Sequence, residues 1–129
     1  MKTFTLLTVA AICVAFCSHA RAAEGKEGKL LYHVVSIKFK SEATAEQIKA
    51  VETAFRELKT KVPGVLSLSG GTDVSPEKRS HGFTHCYVLT FASEKDRDAY
   101  AVHAAHKAFG KLLGPVMEDV MVVDFWPQQ

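Results

Sequence analysis

Three segments of this chain alternate their side chains with a period of two, and in none of them is either set consistently polar. In Tyr32 to Lys40, His33, Val35, Ile37 and Phe39 fall on one side, and Val34, Ser36, Lys38 and Lys40 on the other. Phe83 to Ala92 sets Phe83, His85, Tyr87, Leu89 and Phe91 against Thr84, Cys86, Val88 and Thr90. Val120 to Trp126 places Met121, Val123 and Phe125 on one side. A half-buried strand that faces water alternates apolar with polar. These strands instead call for cover on both faces of their sheet.

The sequence supplies cover for one face. Thr44-Ala45-Glu46-Gln47 has the capping-box pattern, and Ile48, Val51, Phe55, Leu58 and Val62 follow at spacings of three and four. That is one apolar stripe of a helix ending at Pro63-Gly64. Val65 to Asp73 reads as a further strand, with Gly70-Gly71 predicting a bulge or bend. A charged, turn-rich loop spans 75–82. Ser93-Glu94-Lys95-Asp96 opens a helix running to about Val102, and another runs from about Ala104 to Leu113 before Gly114-Pro115. The order βαββαβ predicts an α+β, ferredoxin-like subunit with its helices on one face of an antiparallel sheet. The other face carries Val34, Cys86, Val88, Met121, Val123 and Phe125. An apolar face of that extent marks an interface, and the expected partner is a second copy, sheet against sheet.

The first 22 residues do not belong to this pattern. Lys2 precedes a largely apolar run from Leu6 to Phe16, and Ala20-Arg21-Ala22 offers small residues for cleavage. The run falls short of the roughly 20 residues of a membrane span, which predicts a signal peptide over 1–22, export to the periplasm or beyond, and no stable membrane insertion after cleavage. Its removal takes Lys2 and Arg21 out of the 16 basic residues, leaving them balanced against the 14 acidic ones. Cys13 and Cys17 leave too, so Cys86 has no internal partner for a disulfide. A neutral chain without a basic stripe argues against nucleic acid as the partner. Residues 23–30 read as a linker and 31–127 as the folded domain.

Several motifs carry a likeness. His33-Val34-Val35 with Lys38-Phe39-Lys40, Val62-Pro63-Gly64-Val65, Gly82-Phe83-Thr84-His85, Tyr100 with His103 to Phe109, and Val122-Val123-Asp124-Phe125 together resemble the stress-responsive dimeric A/B barrel (Dabb) family. The resemblance implies a homodimer whose sheets pair into an α+β barrel. It also implies kinship with a plant branch of polyketide cyclases that close a ring by aldol condensation without a cofactor. In that branch a Tyr and a His of the helical segment form the working pair, with further histidines on the first and third strands. Tyr100, His106, His33 and His85 stand at the matching positions. The chain departs from the family at Ala104, where members commonly have Pro between the paired histidines and so a fixed start to the helix that aims His106.

The residues themselves leave several readings open. An apolar pocket between sheet and helices is expected from Ile37, Phe55, Tyr87, Phe109 and Val122, with His33 and His85 reaching into it. It would bind a small apolar or aromatic molecule. In a catalytic reading, His106 takes a proton from carbon beside a carbonyl while Tyr100 donates to the oxygen, with no cofactor. In a structural reading the same side chains satisfy one another as a buried network. His103-x-x-His106 is the one spacing that would suit a metal, and either His103 or His106 would be the axial ligand of a haem. There is no H-E-x-x-H and no paired Cys, so no metal site is assigned. Asp124 is expected to pair with Lys38 or Lys40.

Overall fold

The computed structural model describes residues 28–128; the predicted signal peptide and most of the predicted linker lie outside them. Seven elements follow in the order β1 (Leu31–Phe39), α1 (Ala45–Lys61), β2 (Ser67–Thr72), β3 (His85–Phe91), α2 (Glu94–Val102), α3 (Ala104–Leu113) and β4 (Met117–Phe125). The strands form one antiparallel sheet in the order β2-β3-β1-β4, so β1 is central and β4 is an edge. This is the ferredoxin-like plan expected from the element order.

Each helix starts where its local chemistry directs. The Thr44 side chain accepts from the Gln47 amide while Gln47 reaches back to the Thr44 amide, the full capping box. Ser93 caps α2 through the Asp96 amide. The α1 stripe buries Val51, Phe55 and Leu58 against Val35, Ile37, Tyr87 and Leu89 of the sheet. Phe55 stacks on Tyr87 at 4.0 Å between centroids and meets Phe109 edge-on at 4.8 Å. Each such pair adds about 0.5–1.5 kcal/mol beyond the area it buries.

Several local expectations need correction. β2 and β3 are shorter at both ends than the alternation predicts, and β4 begins at Met117 rather than Val120. The Gly70-Gly71 pair makes no bulge, since β2 keeps a regular register with β3. Gly70 is required for another reason: a Cβ there would lie 2.4 Å from Tyr87 Cδ1 and 2.6 Å from the Cys86 carbonyl oxygen. The Tyr87 ring lies across the bare backbone, an approach only glycine permits. The irregular register falls instead between Lys38 and Phe39, where β1 meets β4.

The helices cover the sheet unevenly. They seal β1 and β3, whereas on edge strand β4 the same face leaves Val120 and Val122 exposed. Among the described residues no helix covers the opposite face. There Met121, Val123 and Phe125 are 48%, 46% and 43% exposed, beside Val34 and the exposed thiol of Cys86. Among the described residues no helix is long and apolar enough to cross a membrane.

Candidate functional site

The break between α2 and α3 builds the site. His103 ends α2 and caps α3, and its Nδ1 accepts from the Ala105 amide at 3.1 Å. In an unbroken helix that amide would bond the Ala101 carbonyl four residues back. Diverted to His103, it leaves the carbonyl free, and His106 takes it at 3.0 Å through Nδ1. A carbonyl only accepts, so His106 Nδ1 carries the proton and the neutral ring leaves Nε2 bare. His103 thus supplies the N-terminal cap of α3 from its own side chain. Among the described residues no group of three or more His, Cys, Asp or Glu is placed to hold a metal ion.

Tyr100, in the last turn of α2, faces His106 at 4.5 Å between ring centroids. It also contacts His33 at 5.7 Å and Phe91 at 5.3 Å. The residue is 1% exposed and its hydroxyl has no hydrogen-bond partner among the described residues. Burial holds the phenol well above its ordinary pKa, so it remains a neutral donor. Burial also pushes the His106 imidazole below its ordinary pKa; the Ala101 carbonyl opposes this and nearby His33 adds to it. His106 is therefore held in the neutral form, a base rather than a cation.

These groups line a cavity of about 290 Å³ between the sheet, α2 and α3. Of the residues expected at a pocket, His33, Phe55, Tyr100, His106, Phe109 and Val122 stand on its walls. Val35, Gly110, Leu113 and Met117 complete much of the rest and were not foreseen.

Ile37, His85 and Tyr87 lie elsewhere, contrary to expectation. Ile37 and Tyr87 are sealed in the core beneath α1. His85 turns its Nε2 to Glu52 at 3.0 Å and its Nδ1 to Thr84 Oγ1 at 2.9 Å, with Phe39 edge-on at 5.0 Å. It borders a second cavity, of about 310 Å³, beside the 73–83 loop and away from Tyr100 and His106. The reason is β3 itself: His85 and Tyr87 share its buried face, which α1 covers, while the open cavity lies over β1 and β4.

Asp124 is also corrected. It pairs with His33, whose Nδ1 lies 2.5 Å from Oδ1, and its Oδ2 accepts from Arg97 Nη1. Lys38 pairs with Glu118 instead, and Lys40 donates to the Pro115 carbonyl. Strand parity contained this answer. Asp124 shares a face with Val122, and Lys38 and Lys40 project from the opposite face.

A family model described as the stress responsive A/B barrel domain matches residues 31–127. Olivetolic acid cyclase of Cannabis sativa is 28% identical over 97 residues, spanning 75% of this chain and 96% of that protein. Among solved structures, the hydroxynitrile lyase from Passiflora edulis superposes with a TM-score of 0.73 at 27% identity, over 78% of this chain and 95% of the lyase. A dimeric ferredoxin-like protein of unknown function from Jannaschia sp. CCS1 superposes with a TM-score of 0.66 at 26% identity, over 74% of this chain and 97% of that one.

Proposed function

The chain belongs to the stress responsive A/B barrel domain family, and from that premise we propose that its helix-side cavity takes a small apolar carbonyl compound and moves a proton on it without a cofactor. One observation carries this reading. A tyrosine hydroxyl with no partner is buried beside an imidazole whose far nitrogen is pinned, and both line an otherwise apolar cavity. An orphan buried hydroxyl is destabilising by about 1–3 kcal/mol. A bound carbonyl oxygen would relieve that penalty, and relieve it most when the oxygen becomes an enolate. The bare His106 Nε2 then takes the proton from the neighbouring carbon. Cyclase and lyase activities in the names of similar proteins accord with a cavity built for carbon acids.

The protein acts as a homodimer in this reading, its apolar sheet face closed by the same face of a second copy. Similar structures described as dimeric support the assembly. Residues 1–22 direct export, so the substrate is met outside the cytoplasm.

Benzylacetone in heavy water tests the chemistry. The wild-type protein is expected to exchange the protons beside the carbonyl, and Tyr100→Phe and His106→Gln to lose that activity while remaining folded. Binding of benzylacetone with no exchange would reduce the site to a binding pocket. Absence of both would remove the reading altogether.

A further inference from the structure

We propose that the second cavity, on the sheet face turned away from the helices, is a binding site for the carboxylate of a small apolar acid, held by Arg79 and Ser36. The inference is independent of the carbonyl reading and uses neither Tyr100 nor His106.

The cavity has a sheet floor and a loop roof. Ser36 of β1 is the cross-strand neighbour of Cys86 on β3 and of Met121 on β4, so the three form one row of that face. The 73–83 loop folds back over the row and bounds about 310 Å³ with it. Backbone bonds fix the ends of the loop. The Asp73 amide donates to the Thr84 carbonyl at 2.8 Å, and the Thr84 amide to the Ile37 carbonyl at 3.1 Å. Gly82 lies against the Lys38 side chain of β1. Farther along the same face, Val34 with Val88 and Val123, and Tyr32 with Phe125, stand outside the cavity walls. Those rows are the part of the face that a second copy can close while the cavity persists.

Two polar groups on the walls are uncommitted. Ser36 is only 8% exposed, and its hydroxyl makes no hydrogen bond among the described residues. Arg79 likewise has no ion-pair partner among them. Lys78 and His81, on either side of Arg79, hold left-handed backbone at φ 53° and 51°. Residues other than glycine keep that conformation only where the surrounding structure enforces it. Here it carries Arg79 and His81 onto the cavity wall. Asp73 also borders the cavity, but it is already engaged: its Oδ1 accepts from the Ser75 amide at 2.8 Å, and the Ser80 side chain bonds it as well. The Ser75 amide, with Ser80 second, holds this carboxyl below its ordinary pKa, so it stays ionised.

This combination selects a ligand class. A guanidinium fork matches a planar carboxylate through two parallel hydrogen bonds. One uncommitted guanidinium beside a fixed carboxylate suits a single negative charge and disfavours a phosphate dianion. The Ser36 hydroxyl, costly to leave unpaired, gains an acceptor in the second carboxylate oxygen. Phe83, Met121 and Cys86 give apolar walls for a ring or a short chain.

The test titrates phenylacetate and its neutral amide, phenylacetamide, into the intact protein, followed by calorimetry and by backbone NMR. Phenylacetate is expected to bind saturably and to displace the signals of Ser36, Arg79 and Cys86 while leaving those of Tyr100 and His106 in place. Phenylacetamide should bind at least about tenfold more weakly, having lost the charge. Arg79→Gln, a change in an exposed loop, should weaken phenylacetate by about 10–100-fold, the usual worth of a hydrogen bond to a charged group. Ser36→Ala should weaken it by about 2–10-fold without lowering the melting temperature, because the hydroxyl it deletes has no partner to lose. Equal affinity for acid and amide, an Arg79→Gln variant that binds as the wild type does, or no saturable binding at all would each overturn the inference. Signals displaced at Tyr100 and His106 alone would assign the acid to the helix-side cavity, overturning the second site and leaving the carbonyl reading in place.

Discussion

The two halves of the helix-covered face use the same side chains to opposite ends. Under α1, Tyr87 and His85 sit with Glu52, and the Tyr87 hydroxyl is buried without a partner. Over β4, Tyr100 and His106 sit with His33 and Asp124, and the Tyr100 hydroxyl is likewise an orphan. The difference lies in cover rather than in chemistry. A helix of 17 residues seals Tyr87 against β1 and β3, whereas the short α2 and α3 stop short of the edge strand and leave a cavity beside Tyr100. Residue type alone does not make a site; an opening next to an unsatisfied group does.

Phe55 separates the two halves, stacked on Tyr87 on one side and standing on the cavity wall on the other. Phe55→Ala removes that partition and should have the largest effect. Burial losses of this kind amount to about 3–5 kcal/mol, read as a lower denaturation midpoint. A change under about 1 kcal/mol would mean that the sealed half repacks freely, and the contrast would lose its physical basis.

The paired tyrosines give the next and sharpest comparison. Tyr100→Phe should reduce proton exchange on benzylacetone by about 10²–10³-fold, the usual worth of one well-placed donor to a developing oxyanion. Tyr87→Phe should leave that rate alone. Both changes delete a buried orphan hydroxyl, so neither should destabilise the fold, and each should raise the unfolding free energy by up to about 1 kcal/mol. Loss of exchange in Tyr87→Phe would show that the sealed group takes part in the chemistry after all.

Two glycines repeat the contrast in the backbone. Gly70→Ala pushes a methyl into Tyr87 and the Cys86 carbonyl, and overpacking of this kind is destabilising by about 1–3 kcal/mol. Gly110 lies within α3 at the cavity wall, and a Cβ there meets nothing within 4 Å. Gly110→Ala should therefore stabilise by about 0.5–1 kcal/mol, the helix preference for alanine. Chemical denaturation of both variants checks the pair.

The fold was largely legible because it depends on periodicity. Strand alternation, the two cap signatures and Gly114-Pro115 predicted every element, and the apolar second face of the sheet predicted an interface. The site was legible in part. Tyr100, His106 and His33 come together as expected, but His85 and Tyr87 were grouped with them because face alone does not reveal which helix lies above it. The Asp124–His33 pairing follows from strand parity, which charge complementarity alone does not contain. The diversion of the Ala105 amide to His103 has no counterpart in spacing or composition. The one-residue break between the helices is foreseen, but the acceptor that the Ala105 amide takes there is displayed only by the three-dimensional structure.

The smallest effect concerns acid. Burial lowers the pKa of folded His106 below the ordinary imidazole value of about 6.5, the value it regains on unfolding. A group with a depressed folded pKa leaves stability intact above its unfolded value, and that stability is lost as pH falls through the folded one. The groups facing it are Tyr100, which stays neutral, the Ala101 carbonyl, and His33, whose own protonation disfavours that of His106. The melting temperature of the wild type should therefore decline as pH drops below about 6.5. His106→Gln, which keeps a donor for the Ala101 carbonyl but cannot titrate, should show a flatter decline. Exchange activity should follow a different curve, persisting below the pH at which an ordinary imidazole base would be protonated, because the neutral form of His106 outlasts it. If the wild type and His106→Gln lose stability in parallel, the open half is no more sensitive to acid through this residue than the sealed one.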